Sequence, residues 1–340
     1  MKLTRHALAP LEKCYAVRSM KLCGREKHLF ASEVRAACYC FDAETGERET
    51  VWENEGGTMG MEPLPGCEDR FLAIRGFFPP FAAADSDIAL VTKTEEGFTV
   101  EPYLQVPYLH RFGIVTTDRG SWLVLAVLCE TKANKDDWSS PGYVAAAPLE
   151  NGKPGTPVRL LGGQFHNHGF AGCTFRGNAA VLTSSDAGAY AFTAPHGDTA
   201  EWKVERLTDV PTGEVRVCDM DGDGVEELIT LEGFHGTDLK VWHLDENGKY
   251  APVWQYPEPL AFVHPLWAGE LWGKMCGISG GRRENGPLFL FRYEDGAYRT
   301  ELIEDKAFSA NVTVAERNGK QVILSANHGQ NTCVMYTNED

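Results

Sequence analysis

Positive charge is scarce in this chain: 32 lysines and arginines stand against 48 aspartates and glutamates, a formal net charge of −16. A surface this acidic has nothing to neutralise a phosphate backbone, which excludes nucleic acid and anionic membrane as partners. A local basic pocket for an acidic substrate stays open. Long apolar runs are missing too. No stretch approaches the roughly 18 apolar residues that span a bilayer, and the N-terminal segment lacks the apolar core of a signal peptide. None of the ten cysteines forms a CxxC pair, so the sequence offers no zinc or redox motif of that type. Most of them (Cys38, Cys40, Cys129, Cys173, Cys218, Cys276) fall inside strand-like runs, where a small buried thiol is the commoner role. The expectation is a reduced, cytoplasmic protein. There is no GxSxG elbow, Walker loop or Rossmann glycine fingerprint, and no segment shows helical periodicity with caps at both ends. Carboxylate pairs for glycoside hydrolysis stay open, because Asp and Glu are abundant.

What the chain does have is a long internal repeat. A turn glycine followed by an apolar strand recurs at Gly24, Gly66, Gly120, Gly177, Gly224, Gly273 and Gly319, spaced by 42, 54, 57, 47, 49 and 46 residues. A period of about 40–50 residues with strand-type runs points to a β-propeller. In the fourth copy, strands are predicted before Gly177, after Gly177, and twice more beyond the loop Ser184-Ser185-Asp186-Ala187-Gly188. The expectation is an all-β, seven-bladed propeller of four-stranded antiparallel blades, a single domain over residues 1–340. The last copy is short of its final strand, and residues 1–13 are predicted to supply it and close the ring. A pair of β-sandwiches is the competing architecture; signatures of the WD40 type are missing.

The strongest local motif is Asp219-Met220-Asp221-Gly222-Asp223-Gly224-Val225-Glu226-Glu227. Alternating carboxylates at Asp219, Asp221, Asp223 and Glu227, with a backbone carbonyl between them, form an oxygen cage for a hard cation, and Gly224 permits the sharp turn. The motif resembles the calcium loop of FG-GAP-type propellers, here between the first and second strands of blade five. It departs from an EF-hand, which needs a later glutamate and flanking helices. The resemblance implies a bound calcium that staples a turn rather than one that does chemistry.

Blade topology places strand-one starts and the loops between strands two and three on one face, with the acidic loop on the other. The first face should then carry His110, His166, His168 and His264 from strand starts. From loops it should carry Arg35, Arg75, Lys132, Lys135, Asp186, His235, Arg282, Arg283, Asn327 and His328. Six of the ten histidines fall there. His168 and His264 lie nine residues before their marker glycines and His110 ten before, so repetition predicts that these imidazoles converge. Neutral imidazoles select a transition metal such as zinc or manganese, and three ligands with an open position make a catalytic centre. His110, His166, His168 and His264 are the expected ligands, since His166 and His168 would share a strand face. Asp186 is expected to fix an imidazole tautomer.

His235 and His328 are the expected bases, and Arg282 the expected stabiliser of a carboxylate or enolate. Arg75, Arg283, Trp138 and Trp267 are the expected substrate contacts, the tryptophans by stacking on a sugar ring. The run from His264-Pro265-Leu266-Trp267-Ala268-Gly269 through Gly273-Lys274 to Gly280-Gly281-Arg282 resembles segments of propeller sugar lyases and aldos-2-ulose dehydratases. That resemblance, over about one blade, implies an axial pocket containing His264 and Arg282. Two function classes follow. One is a metal-dependent carbon–oxygen lyase acting on a keto-sugar or uronide, and the other is a non-catalytic propeller that binds carbohydrate or protein.

Overall fold

A computed structural model describes residues 2–339. The fold is an all-β, seven-bladed propeller of four-stranded antiparallel blades in a ring. Blade one comprises Cys14–Leu22, Arg25–Ser32, Cys38–Asp42 and Arg48–Trp52. The N-terminal strand Leu3–Pro10 pairs antiparallel with Thr332–Asn338 and completes the last blade, as the short final repeat implies. Blade three is irregular: its outer position is divided between Lys153–Pro154 and Val158–Gln164. Among the described residues, no helix is long and apolar enough to cross a membrane.

Second strands are buried on both faces and therefore lack the apolar–polar alternation of a half-exposed strand. Gly120–Val127 and Asn178–Ser185 are buried over their last five and six residues respectively. Fourth strands such as Gly97–Gln105 are only half-buried or exposed. Several repeat glycines turn out to occupy two-residue hairpins. Phe175 pairs with Asn178 across Arg176 and Gly177, whose φ values are 48° and 76°. A type I′ turn needs positive φ at both central residues, and glycine supplies one of them without strain.

Chain contacts divide the fold into two units. One comprises the chain up to Leu109, Gly280–Leu288 and the chain from Leu302. Its core includes Phe30, Phe41, Leu324 and Met335 with Cys14 and Cys333, whose sulfurs are 3.8 Å apart. All ten cysteines are free thiols, and Cys173 is only half-buried. The other unit comprises His110–Ser279 and Phe289–Glu301. It is packed around Val181, Phe192 and Phe170 in one cluster and Ile229, Val241 and Phe291 in another.

Candidate functional site

Within the second unit, His168 stands immediately before the first strand of blade four, Gly169–Phe175, and its N–H donates to Ser184 O at 3.0 Å. A side chain at Gly169 would put its Cβ 2.0 Å from Ser184 Oγ and 2.9 Å from Gly213 O. Only glycine lets the blade-five backbone come this close. That approach puts the Gly213 carbonyl 3.0 Å from His168 Nδ1, with the Glu214 carboxylate 3.3 Å away. Both neighbours only accept, so Nδ1 carries a proton and any ligand would be met by Nε2. That Nε2 is buried and has no hydrogen-bond partner among the described residues.

Two more imidazoles converge on it. His264 enters on the strand Val263–Leu271, with its ring centroid 5.2 Å from that of His168. His235 comes from the loop between Glu227–Glu232 and Asp238–Leu244, 4.9 Å from His168 and 5.5 Å from His264. One nitrogen from each of the three lies within 4.8 Å of the others. His235 has φ of 52°, a conformation that costs energy for a bulky residue and persists only where its surroundings enforce it. Phe234 and Phe262 do so, with rings 3.9 Å and 4.0 Å from the imidazole.

The three-nitrogen group differs from the ligand set expected from repeat phase. His168 and His264 are in the three-nitrogen group, but His235, expected as a base, takes the third place. His110 does not join it. Its Nδ1 donates to the His168 carbonyl at 3.3 Å, and burial, reinforced by the Arg111 charge, holds its pKa well below the usual histidine value. His166 does not join it either, because the strand begins only at Gly169 and His166 has φ of 49°. The alternation rule therefore fails there. Instead His166 Nδ1 donates to Asp186 Oδ2 at 2.8 Å. Its ring stacks on Phe234 at 4.5 Å and lies 4.3 Å from Trp138, one aromatic ring removed from His235. Lys132 Nζ sits 3.4 Å over Trp138 and donates to Asp137 O at 2.6 Å.

Glu214 and Arg111 were not anticipated. Glu214 lies ten residues before Gly224, the same phase that His110 holds before Gly120, so the repeat did contain its signal. Arg111 Nη2 is 3.6 Å and Arg216 Nη1 3.4 Å from the Glu214 carboxylate. Burial pushes the Glu214 pKa up, but the His168 hydrogen bond and the two arginines outweigh it and hold it below the usual value.

Arg282 and His328 belong to the first unit, where both meet a residue the sequence reading missed. Arg282 Nη2 is 2.5 Å and His328 Nε2 2.6 Å from the same Glu33 oxygen. Burial lowers the pKa of His328, and it opposes ionisation of Glu33, whose carboxyl is nevertheless lowered by its two partners. Arg75, expected to bind substrate, is taken by Asp87 through paired bonds of 3.0 and 2.6 Å and by Glu55 at 3.2 Å. It lines a cavity of about 770 Å³ with Arg35, Phe78 and Asp85. Arg283 and Lys135 are exposed. Asn327 is buried and accepts from Ser325 Oγ at 2.6 Å. Trp267 packs beside Gly269 along its own strand.

The acidic loop joins Thr212–Cys218 to Glu227–Glu232, at the opposite end of that hairpin from the His235 loop. Asp219 accepts from Gly222 and Gly224 N–H at 2.8 and 3.1 Å, and Glu227 Oε2 accepts from Met220 N–H at 2.6 Å. Oxygens of Asp219, Asp221 and Asp223 lie within 4.8 Å of one another, and a second group joins Asp221, Glu227 and His243. Burial first, then the neighbouring Asp221 and Asp223 charges, pushes the Glu227 carboxyl up to about 7. Clustered oxygens that repel one another suit a hard cation; in the second group His243 adds a nitrogen donor.

No protein-family model matches the chain, and no curated protein matches it. Among solved structures 643 chains match, too many for shape to single out an activity. One, from Bacteroides uniformis and described as a candidate 6-phosphogluconolactonase, has a TM-score of 0.57 at 11% identity, covering 89% of this chain and 88% of that one. The likeness is one of fold.

Proposed function

We propose that the protein is a metal-dependent carbon–oxygen lyase acting on a keto-sugar or uronide, with a transition metal held by His168, His235 and His264. The observation that carries this reading is the buried, partnerless Nε2 of His168, whose Nδ1 is fixed by Gly213 and Glu214. Burying a lone pair without a partner costs free energy, and an ion shared with His235 and His264 would offset that cost. Three nitrogen donors suit zinc better than manganese, which prefers oxygen. When bound, such an ion supplies Lewis acidity that polarises a carbonyl or carboxylate oxygen.

The chain's own residues supply proton transfer and orientation. Asp186 holds His166 by Nδ1, so the unprotonated Nε2 can take the proton next to the substrate carbonyl. The C–H electron pair forms the new double bond, the β C–O pair leaves with oxygen, and His166 returns its proton to that oxygen. Asp219, Asp221, Asp223 and Glu227 would hold calcium in a loop resembling those of FG-GAP propellers, where it fastens a turn. Ten free thiols support a reducing, cytoplasmic setting.

Metal analysis of purified protein tests the reading. About one zinc per chain is expected, lost in a His168→Gln/His264→Gln double variant while calcium is retained. Screening uronides and keto-sugars for absorbance of a new conjugated double bond then tests the reaction. Calcium alone, with no transition metal, would favour the non-catalytic binding propeller instead.

A further inference from the structure

The carboxylate behind His168 belongs to a buried strand residue and is ion-paired with two arginines. Glu214 is 4% exposed and His168 2%. Arg216 Nη1 also donates to Phe170 O at 3.1 Å and Val215 O at 2.6 Å, so its guanidinium is anchored by backbone as well as by Glu214. A buried ion-pair network of this kind is no efficient source of stability, because desolvating the charges offsets most of their attraction. Hydrophobic residues of similar volume would pack such a site at least as well. The arrangement makes better sense as a device acting on the histidine.

We propose that Glu214 is a positioning residue for the three-imidazole centre: its carboxylate shares the His168 Nδ1 proton with the Gly213 carbonyl, strengthens Nε2 as a ligand, and so sets the affinity of the centre for a transition metal. The inference rests on the reading that His168, His235 and His264 bind metal. The Gly213 carbonyl alone would fix the tautomer and ring plane. The carboxylate adds negative charge behind the ring, which draws the Nδ1 proton toward Glu214 and raises electron density at Nε2. Carboxylates behind ligand histidines typically change metal affinity by about 10–100-fold. Arg111 and Arg216 hold the Glu214 carboxylate in place through ion pairs of 3.6 and 3.4 Å. A purely structural Glu214 would tie down the arginines without affecting the metal.

The test is a zinc titration of metal-free protein against a chromophoric chelator, with wild type compared with Glu214→Gln and Glu214→Asp. Glu214→Gln is expected to weaken zinc about 10–100-fold, with Glu214→Asp, which keeps the charge, recovering part of the loss. Equal zinc affinity in wild type and Glu214→Gln would overturn the proposal, whatever the variant does to the melting temperature. Because Glu214→Gln leaves two arginines unpaired and risks misfolding, a second measurement uses wild type alone. Long-range proton–nitrogen spectra of metal-free protein labelled on histidine nitrogen should show His168 protonated at Nδ1 with a strongly downfield proton, identified by its loss in His168→Gln. Protonation at Nε2, or an undisplaced Nδ1 proton, would overturn the role of Glu214. If wild type took up no zinc while showing that downfield proton, the metal reading would fail and the Glu214–His168 coupling would stand.

Discussion

The imidazoles of His110 and His168 lie face to face, with ring centroids 4.3 Å apart and an interplanar angle of 34°, while His110 Nδ1 reaches the His168 carbonyl at 3.3 Å. Repeat phase puts the two residues within one position of each other, and their bonding divides the work: His168 presents a nitrogen to the cluster and His110 supports the backbone that carries it. His110→Phe should therefore keep about one zinc per chain. It should also lower stability by about 1–3 kcal/mol, the cost of leaving a buried acceptor unsatisfied. Metal analysis together with denaturant unfolding checks both expectations. Loss of zinc in a folded His110→Phe protein would put His110 back among the ligands.

A second buried histidine predicts a pH dependence separate from the metal. His28 is 2% exposed, with Nδ1 3.0 Å from Ser19 Oγ. Burial, aided by the Arg317 charge, lowers its pKa from 6.5 to about 4. The folded state thus binds the proton less readily than the unfolded state. The corresponding stability is fully present above pH 6.5 and is lost as pH falls through about 4. A depression of this size corresponds to about 3 kcal/mol. Unfolding free energies measured from pH 7 to pH 4 should fall more steeply in wild type than in His28→Leu. Parallel curves would show that His28 does not carry the effect.

Much of the fold was legible because turn chemistry is local. Gly24, Gly177 and Gly319 mark the repeat since each ends a two-residue turn, across Leu22 and Arg25, Phe175 and Asn178, and Arg317 and Lys320. The N-terminal strand was legible because the final copy lacked a partner for Thr332–Asn338. The site was less so. Phase brought His168 and His264 to strand starts, but the positive φ of His166 and His235 turns each away from the direction that alternation or a loop position suggests. No periodicity encodes such conformations. The Arg75–Asp87 pair is legible in the sequence once the hairpin is placed, since the two lie directly opposite each other and opposite charges pair across strands. Glu214 occupies the phase of His110, but a carboxylate there does not by itself mark a site in a chain so rich in Asp and Glu.

The roles proposed for His166 and His235 yield the most discriminating prediction. His235 lies among the converging nitrogens, so His235→Gln should lose zinc and activity together. His166 is bonded through Nδ1 to Asp186 and separated from the cluster by the Phe234 ring, so His166→Gln should keep its zinc. Loss of a general base should still cost it about 10²–10⁴ in rate. Asp186→Asn should show a smaller loss, because the imidazole remains but its tautomer is no longer enforced by charge. Proton exchange next to the substrate carbonyl in deuterated water, followed by NMR, isolates the step and should fall in parallel with elimination in both variants. If His166→Gln eliminated at the wild-type rate with zinc in place, the base would have to be another group and the His166–Asp186 pair would be structural.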